Sequence, residues 1–243
     1  MNGVKPVDQP SDKSDTTSGV VRWLVQGSVI MLILAASLFI SLGSLGWAMA
    51  WVLVGLYAAS MIVQALVLIP NNPELLAERT GIKLDPTKKW DRPLAGIVSL
   101  WGPVATQIVA GLDVRFGWSP QIPFALQVAA VAIAVLGMLL SIWAMASNKF
   151  FYGFVRIEED RGHTVATGGP YQFVRHPGYT GGTLFALATP LILGALWAFI
   201  PAGLTMCVFV IRTALEDRTL QDELDGYKGY VKRVCYRLLP GVW

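Results

Sequence analysis

Charge is what this chain has least of. Only 14% of its 243 residues are Asp, Glu, Lys or Arg, against about a quarter in soluble domains. That shortage, with a positive mean hydropathy, disfavours a soluble globular fold and favours a membrane protein. Cysteine and histidine are also scarce, two of each. Cys207 and Cys235 are too few and too far apart for a disulfide framework. With two histidines they match no zinc spacing, so no metal site is expected. The chain shows no internal repeat, and no nucleic-acid partner is expected.

What it does have is long charge-free runs. No ionisable Asp, Glu, Lys, Arg or His occurs in residues 23–69, 93–112, 116–148 or 177–211. A spanning helix needs about 20 apolar residues. The first run therefore holds two spans, divided at "SLGSLGW" (residues 41–47), and the second and third hold one each. The fourth is too long for one span at about 1.5 Å per residue and short for two. Pro190, Gly194 and Pro201 predict a tight helical hairpin turning near residues 193–196. The expected fold is all-α, a polytopic membrane protein of about six helical segments whose last two form that hairpin. Residues 1–19 read as a polar, disordered arm, and residues 20–243 as one membrane domain.

Every Lys and Arg except Arg115 falls in the N-terminal arm, in residues 71–92, in residues 149–175 or in the tail from Arg212. The positive-inside rule places these segments, and both termini, in the cytoplasm, with a bacterial inner membrane as the expected setting. The hairpin thus returns Arg212 and Glu216 to the side where Arg175 and His176 enter the membrane.

Two clusters there can carry chemistry. "HTVATGGPYQFVRHPGY" (residues 163–179) holds both histidines and ends on Pro177, suited to a first helical turn. Free N–H groups at such a helix start favour anions. A purely structural reading is equally available, with Arg175 snorkelling to lipid phosphates and His176 and Tyr179 at the interface. In "RTALEDRTLQDEL" (residues 212–224), Arg212 and Glu216 are i,i+4 neighbours, with Glu223 near the same face. Arg before Glu is the weaker order for a helix ion pair, which suggests separate jobs for the two. The tail, with Tyr227, Tyr230, Tyr236 and Trp243 among its cations, reads as an interfacial anchor on membrane lipid. Residues 71–93 read as a short capped helix and a turn, with a connecting role.

Taken together, "HTVATGGPYQFVRHPGY", "RTALED" and "GYKGYVKRVCYRLLPG" resemble the isoprenylcysteine carboxyl methyltransferase family, within a wider group that includes phospholipid N-methyltransferases. The resemblance covers residues 150–243, the expected cofactor-binding part. It implies S-adenosyl-L-methionine held by His163, Thr164, Val165, Ala166, Tyr171, His176, Pro177, Gly178, Tyr179 and Glu216. It also implies Arg212 at the substrate's reacting end, and catalytic roles for Arg212, Glu216 and His176. Two departures stand out. The family's Glu-Glu pair is here Glu216-Asp217, and a family glutamine that reaches the cofactor aligns near Arg156.

Methyl transfer from a sulfonium depends on positioning and desolvation, which suits a chain without a metal cluster or a nucleophile–base triad. The expected acceptor is lipophilic and enters from the bilayer, a carboxylate such as a prenylated cysteine in first place. A phospholipid amine or a small thiol would need a proton acceptor. A membrane reductase using a nicotinamide cofactor, and a non-catalytic binding protein, are the alternatives from other classes. The charge count makes one direct prediction: in spheroplasts, an impermeant maleimide labels Cys235 only after the membrane is opened.

Overall fold

The computed structural model describes residues 13–80, 87–158 and 161–243. The six apolar segments appear as helices α1 (Lys13–Leu42), α2 (Ala48–Asn71), α4 (Asp91–Gly96) running on into α5 (Gly102–Phe116), α6 (Phe124–Ala146), α7 (Pro177–Ile192) and α8 (Phe199–Glu223). Two short helices join them, α3 (Pro73–Thr80) and α9 (Tyr227–Arg233). No strand occurs among the described residues. Helix α1 already begins at Lys13, so residues 13–19 are helical rather than part of a disordered arm. Residues 1–12 lie outside the described residues.

Five of these helical stretches are long and apolar enough to cross a membrane. Their outer faces are hydrophobic: Ile40, Leu66, Leu136 and Leu204 are all largely exposed. A soluble protein would bury such side chains, whereas lipid solvates them at no cost. Helix α7, at 16 residues, rises only about 24 Å, less than the hydrocarbon core.

Small residues set the closest helix crossings. A Cβ placed on Gly137 of α6 would stand 2.6 Å from the Gly181 carbonyl of α7, so the two backbones meet directly, as in membrane small-residue packing. Between α4 and α5 the helix widens into a π turn, Ile97–Trp101. Pro103 explains it, because this residue has no N–H to return to the carbonyl one turn back.

The hairpin forms where the proline and glycine pattern puts it. Helix α7 stops at Ile192, and Gly194 takes φ +66°. A short 3-10 turn, Leu196–Ala198, then leads into α8. Asp113, 1% exposed at the end of α5, holds the turn in place. Its Oδ2 accepts hydrogen bonds from Trp197 N–H at 3.1 Å and Ser119 Oγ–H at 2.6 Å, and its Oδ1 accepts Ser119 N–H at 2.8 Å. Ser119 Oγ accepts Leu196 N–H in turn. Asp113→Ala strips several buried donors of their partner. It should lower stability by about 2–4 kcal/mol, read as earlier thermal unfolding in detergent.

Candidate active site

Residues 150–176 cross the end of the bundle where α7 begins and α8 ends. His163 stacks on Phe150, ring centroids 4.3 Å apart, and its Nδ1 accepts the Glu158 N–H at 3.4 Å. Burial lowers its pKa, so its imidazole is neutral at pH 7. The chain then runs through Thr164, Val165 and Ala166 without regular secondary structure. Val165 and Ala166 pack against the buried group of Tyr171, Leu224, Tyr227 and Tyr230. Among the described residues, no protein group hydrogen-bonds the backbone of Thr164, Val165 or Ala166. Gly169 follows with φ +57°, its Cα against the Ser147 side chain. That position requires glycine for both conformation and space.

Next comes a knot around Asp217, which is fully buried. Its carboxylate accepts Arg175 Nε–H at 2.7 Å and Nη2–H at 3.1 Å. It also accepts Arg237 Nε–H at 2.9 Å, Tyr227 O–H at 3.0 Å and Gln221 Nε2–H at 2.9 Å. His176 Nε2 lies 3.3 Å from it. Arg175 further donates to the Val234 and Cys235 carbonyls, and the Arg175 and His176 amides donate to Tyr236 and Arg237. The tail is therefore stitched to the start of α7. Tyr227 and Tyr230 are buried, 4% and 2% exposed, with the Tyr230 hydroxyl donating to the Tyr171 carbonyl. This corrects the expectation of a lipid anchor for these two residues, because the polar knot draws their rings inward. Arg175 is likewise buried rather than snorkelling. His176 also has its ring edge turned into the knot.

Glu216, the neighbour of Asp217, points the other way. It is half-buried and accepts the Tyr179 O–H. Tyr179 lies parallel to His176, with centroids 5.8 Å apart, and against Phe209. Arg212 sits over the Tyr179 ring at 5.2 Å. No ion pair links Arg212 to Glu216 among the described residues. Instead Arg212 pairs with Asp91 at the head of α4, Nε to Oδ1 at 2.6 Å and Nη2 to Oδ2 at 3.0 Å. Its Nη2 also donates to the Gly153 carbonyl, while Nη1 has no protein partner. Asp91 is fully buried and accepts the Val155 N–H as well.

Two of these residues were not anticipated. Asp91 is a lone carboxylate immediately before a charge-free run, a signal legible as a helix-start residue. Arg79 ends "NNPELLAER", in a segment expected only to connect helices. Its Nη1 donates to the Phe151 carbonyl at 3.2 Å and its guanidinium lies over the Phe151 ring. Burial and the nearby charge of Arg212 push its pKa down to about 10. The Arg79 and Arg212 guanidinium groups thus lie near enough to repel one another, and among the described residues Arg79 has no carboxylate partner. Gly178 packs against the opposite side of this region, its Cα facing the Phe151 ring where a Cβ would not fit. Arg156 is engaged elsewhere, with Glu78 at 2.8 Å, Glu158 at 3.0 Å and the Tyr152 ring at 3.8 Å.

Beneath this site lies a cavity of about 310 Å³, lined by α1, α2, α5, α6, α7 and α8 together with the π turn. Phe209 forms part of its wall and touches Tyr179 on its other side.

A model of the phospholipid methyltransferase family matches residues 124–224. The match takes in α6, α7 and α8 with the whole of both polar clusters. The protein-S-isoprenylcysteine O-methyltransferase of Schizosaccharomyces pombe is 31% identical over 111 residues, 44% of this chain and 47% of that protein. Over these residues the chain is similar to methyltransferases of phospholipids and of isoprenylcysteine. It aligns with about half the length of this curated relative, and Arg79 and Asp91 fall outside the matched family region.

The adjacent acids have opposite jobs, and stability separates them. Asp217→Ala leaves two arginines without their counter-charge and should cost about 3–5 kcal/mol. Glu216→Gln keeps a partner for Tyr179 and should cost about 1 kcal/mol or less. Thermal unfolding of both variants in detergent provides the comparison.

Proposed function

We propose that this protein transfers a methyl group from S-adenosyl-L-methionine to a lipophilic carboxylate, a prenylated cysteine being one member of that class, at the cytoplasmic membrane face. The charged end of the bundle, which carries nearly all the Lys and Arg, is the cytoplasmic end on the positive-inside rule. The residues there suit the cofactor. Thr164, Val165 and Ala166 present backbone donors and acceptors that no described residue occupies, beside an apolar floor that includes Tyr171. Glu216 is the half-open carboxylate that would face a cationic part of the ligand. When bound, the cofactor supplies a sulfonium methyl group.

The observation that carries the carboxylate reading is the convergence of Arg79 and Arg212. Two guanidinium groups near one another share a single carboxylate among the described residues, Asp91 on Arg212, and an anionic acceptor would relieve their repulsion. Arg212 keeps Nη1 for it because Asp91 occupies Nε and Nη2, so the fork is fixed before the acceptor arrives. A carboxylate is ionised at pH 7 and needs no base. Tyr179 carries the Arg212 guanidinium on its ring face and fixes Glu216 by its hydroxyl. The apolar body of the acceptor would occupy the cavity beneath. The phospholipid methyltransferase match supports a second acceptor class, an amine, for which Glu216 would have to receive the proton.

Membranes carrying the protein, given methyl-labelled cofactor and a prenylated cysteine, should yield a base-labile methyl ester. A base-stable product would move the assignment to nitrogen or sulfur. S-adenosylhomocysteine should stabilise the purified protein and NADPH should not, which separates it from a reductase. Arg79→Ala should lower transfer about 10- to 100-fold, as expected for one charged hydrogen bond. The loss should appear in the acceptor's KM, with S-adenosylhomocysteine binding retained.

A further inference from the structure

The cavity beneath the site is not uniformly apolar, and its polar groups fall into two kinds. The hydroxyls of Ser99, Thr106, Thr189 and Thr205 each donate to the backbone carbonyl four residues earlier, at 2.7–2.9 Å. Ser141 donates to the Gly178 carbonyl. Such hydroxyls are satisfied within their helices and leave the wall effectively apolar.

Helix α2 differs. Tyr57, Ser60 and Gln64 all line the cavity, and their i,i+3 and i,i+4 spacing puts them on one helix face. Gln64 Nε2 donates to Ser60 Oγ at 3.0 Å. Only one of the O–H and N–H protons that this pair carries is used in that bond, whichever way the amide is turned. The Tyr57 hydroxyl bonds the Gln107 side-chain amide at 3.0 Å and keeps further hydrogen-bonding capacity at the cavity wall. Gln107, 1% exposed, is held from α1, with Ser37 Oγ 3.1 Å from its Oε1. The Tyr57 ring rests on Phe185, centroids 5.4 Å apart. Side-chain donors without acceptors inside a bilayer are expensive, yet the protons left over on Ser60 and Gln64 border the open cavity beside Tyr57.

We propose that Tyr57, Ser60 and Gln64 form a hydrogen-bonding station for the body of the lipid acceptor, selecting a lipid with an acceptor oxygen, such as a ketone or ester carbonyl, over a bare hydrocarbon chain. The proposal rests on the reading that the site takes a lipophilic carboxylate. Phe185 lies six residues along α7 from Tyr179, about 9 Å of helix rise, and Arg212 sits over Tyr179. The selected oxygen therefore belongs about 9 Å from the acceptor's reacting end.

Two chain-matched probes test this on the purified full chain in detergent: stearate, and a keto-stearate whose ketone stands about 9 Å from the carboxylate. Calorimetric titration should show the keto probe binding about tenfold tighter, the worth of one hydrogen bond in a site that excludes water. Tyr57→Phe with Ser60→Ala should abolish that preference and leave stearate binding within about twofold. Gln64→Leu, which leaves Tyr57 in place, should reduce it. Equal binding of the two probes, a preference that survives the double variant, or binding of neither probe overturns the proposal. The readout needs no methyl transfer. A keto preference without transfer from labelled cofactor removes the methyltransferase reading and leaves the station standing.

Discussion

Asp217 carries more of this architecture than any other side chain, because a carboxylate with no solvent must find all its partners in the protein. It finds them on three separate pieces of chain: Arg175 and His176 before α7, Gln221 on its own helix, and Tyr227 and Arg237 beyond it. Satisfying one charge therefore fixes the entry of α7, the exit of α8 and the path of the tail together. The tail in turn covers Tyr171 and the segment carrying Val165 and Ala166. Any ligand held by that segment depends on a charge it need never touch.

The second buried carboxylate, Asp91, does for the start of α4 and the middle of α8 what Asp217 does for the start of α7 and the tail. It joins the head of α4, the loop at Val155 and Arg212 of α8. A guanidinium offers its donors in a rigid fork. Fixing two of its nitrogens fixes the third in space, which is how a structural ion pair can also prepare a site. Arg79, placed by the capped helix α3 with Asn72 accepting the Leu75 N–H, adds a second cation with no paired acid among the described residues. The same end of the bundle thus separates its charges, some paired in buried carboxylate clusters and others without a carboxylate partner among the described residues.

Much of this was legible in the sequence. The charge-free runs gave the spans, and Pro190 and Gly194 gave the hairpin, because a 35-residue apolar run cannot otherwise begin and end at the same surface. The motif at residues 163–179 was legible through its resemblance, and the unfavourable Arg212–Glu216 order correctly suggested different partners. The direction each polar side chain takes was not legible. Nothing local separates Glu216 from Asp217, yet one is half-open and the other is sealed. The tail's aromatics suggested an interface, whereas the knot turned Tyr227 and Tyr230 inward. Asp91 lies 121 residues from Arg212 and Arg79 lies 72 residues from Phe151, beyond any periodic or spacing argument.

By itself the sequence determined which segments lie in lipid, where the chain reverses and which end gathers the charge. Those properties are sums over many residues and follow from solvent preference alone. Only the tertiary structure decided which charges neutralise one another and which remain for a ligand. That outcome depends on a few ångströms of side-chain geometry between helices distant in sequence. The same is true of the donors on α2, whose significance appears only once the hydroxyls of the neighbouring helices are seen to be satisfied.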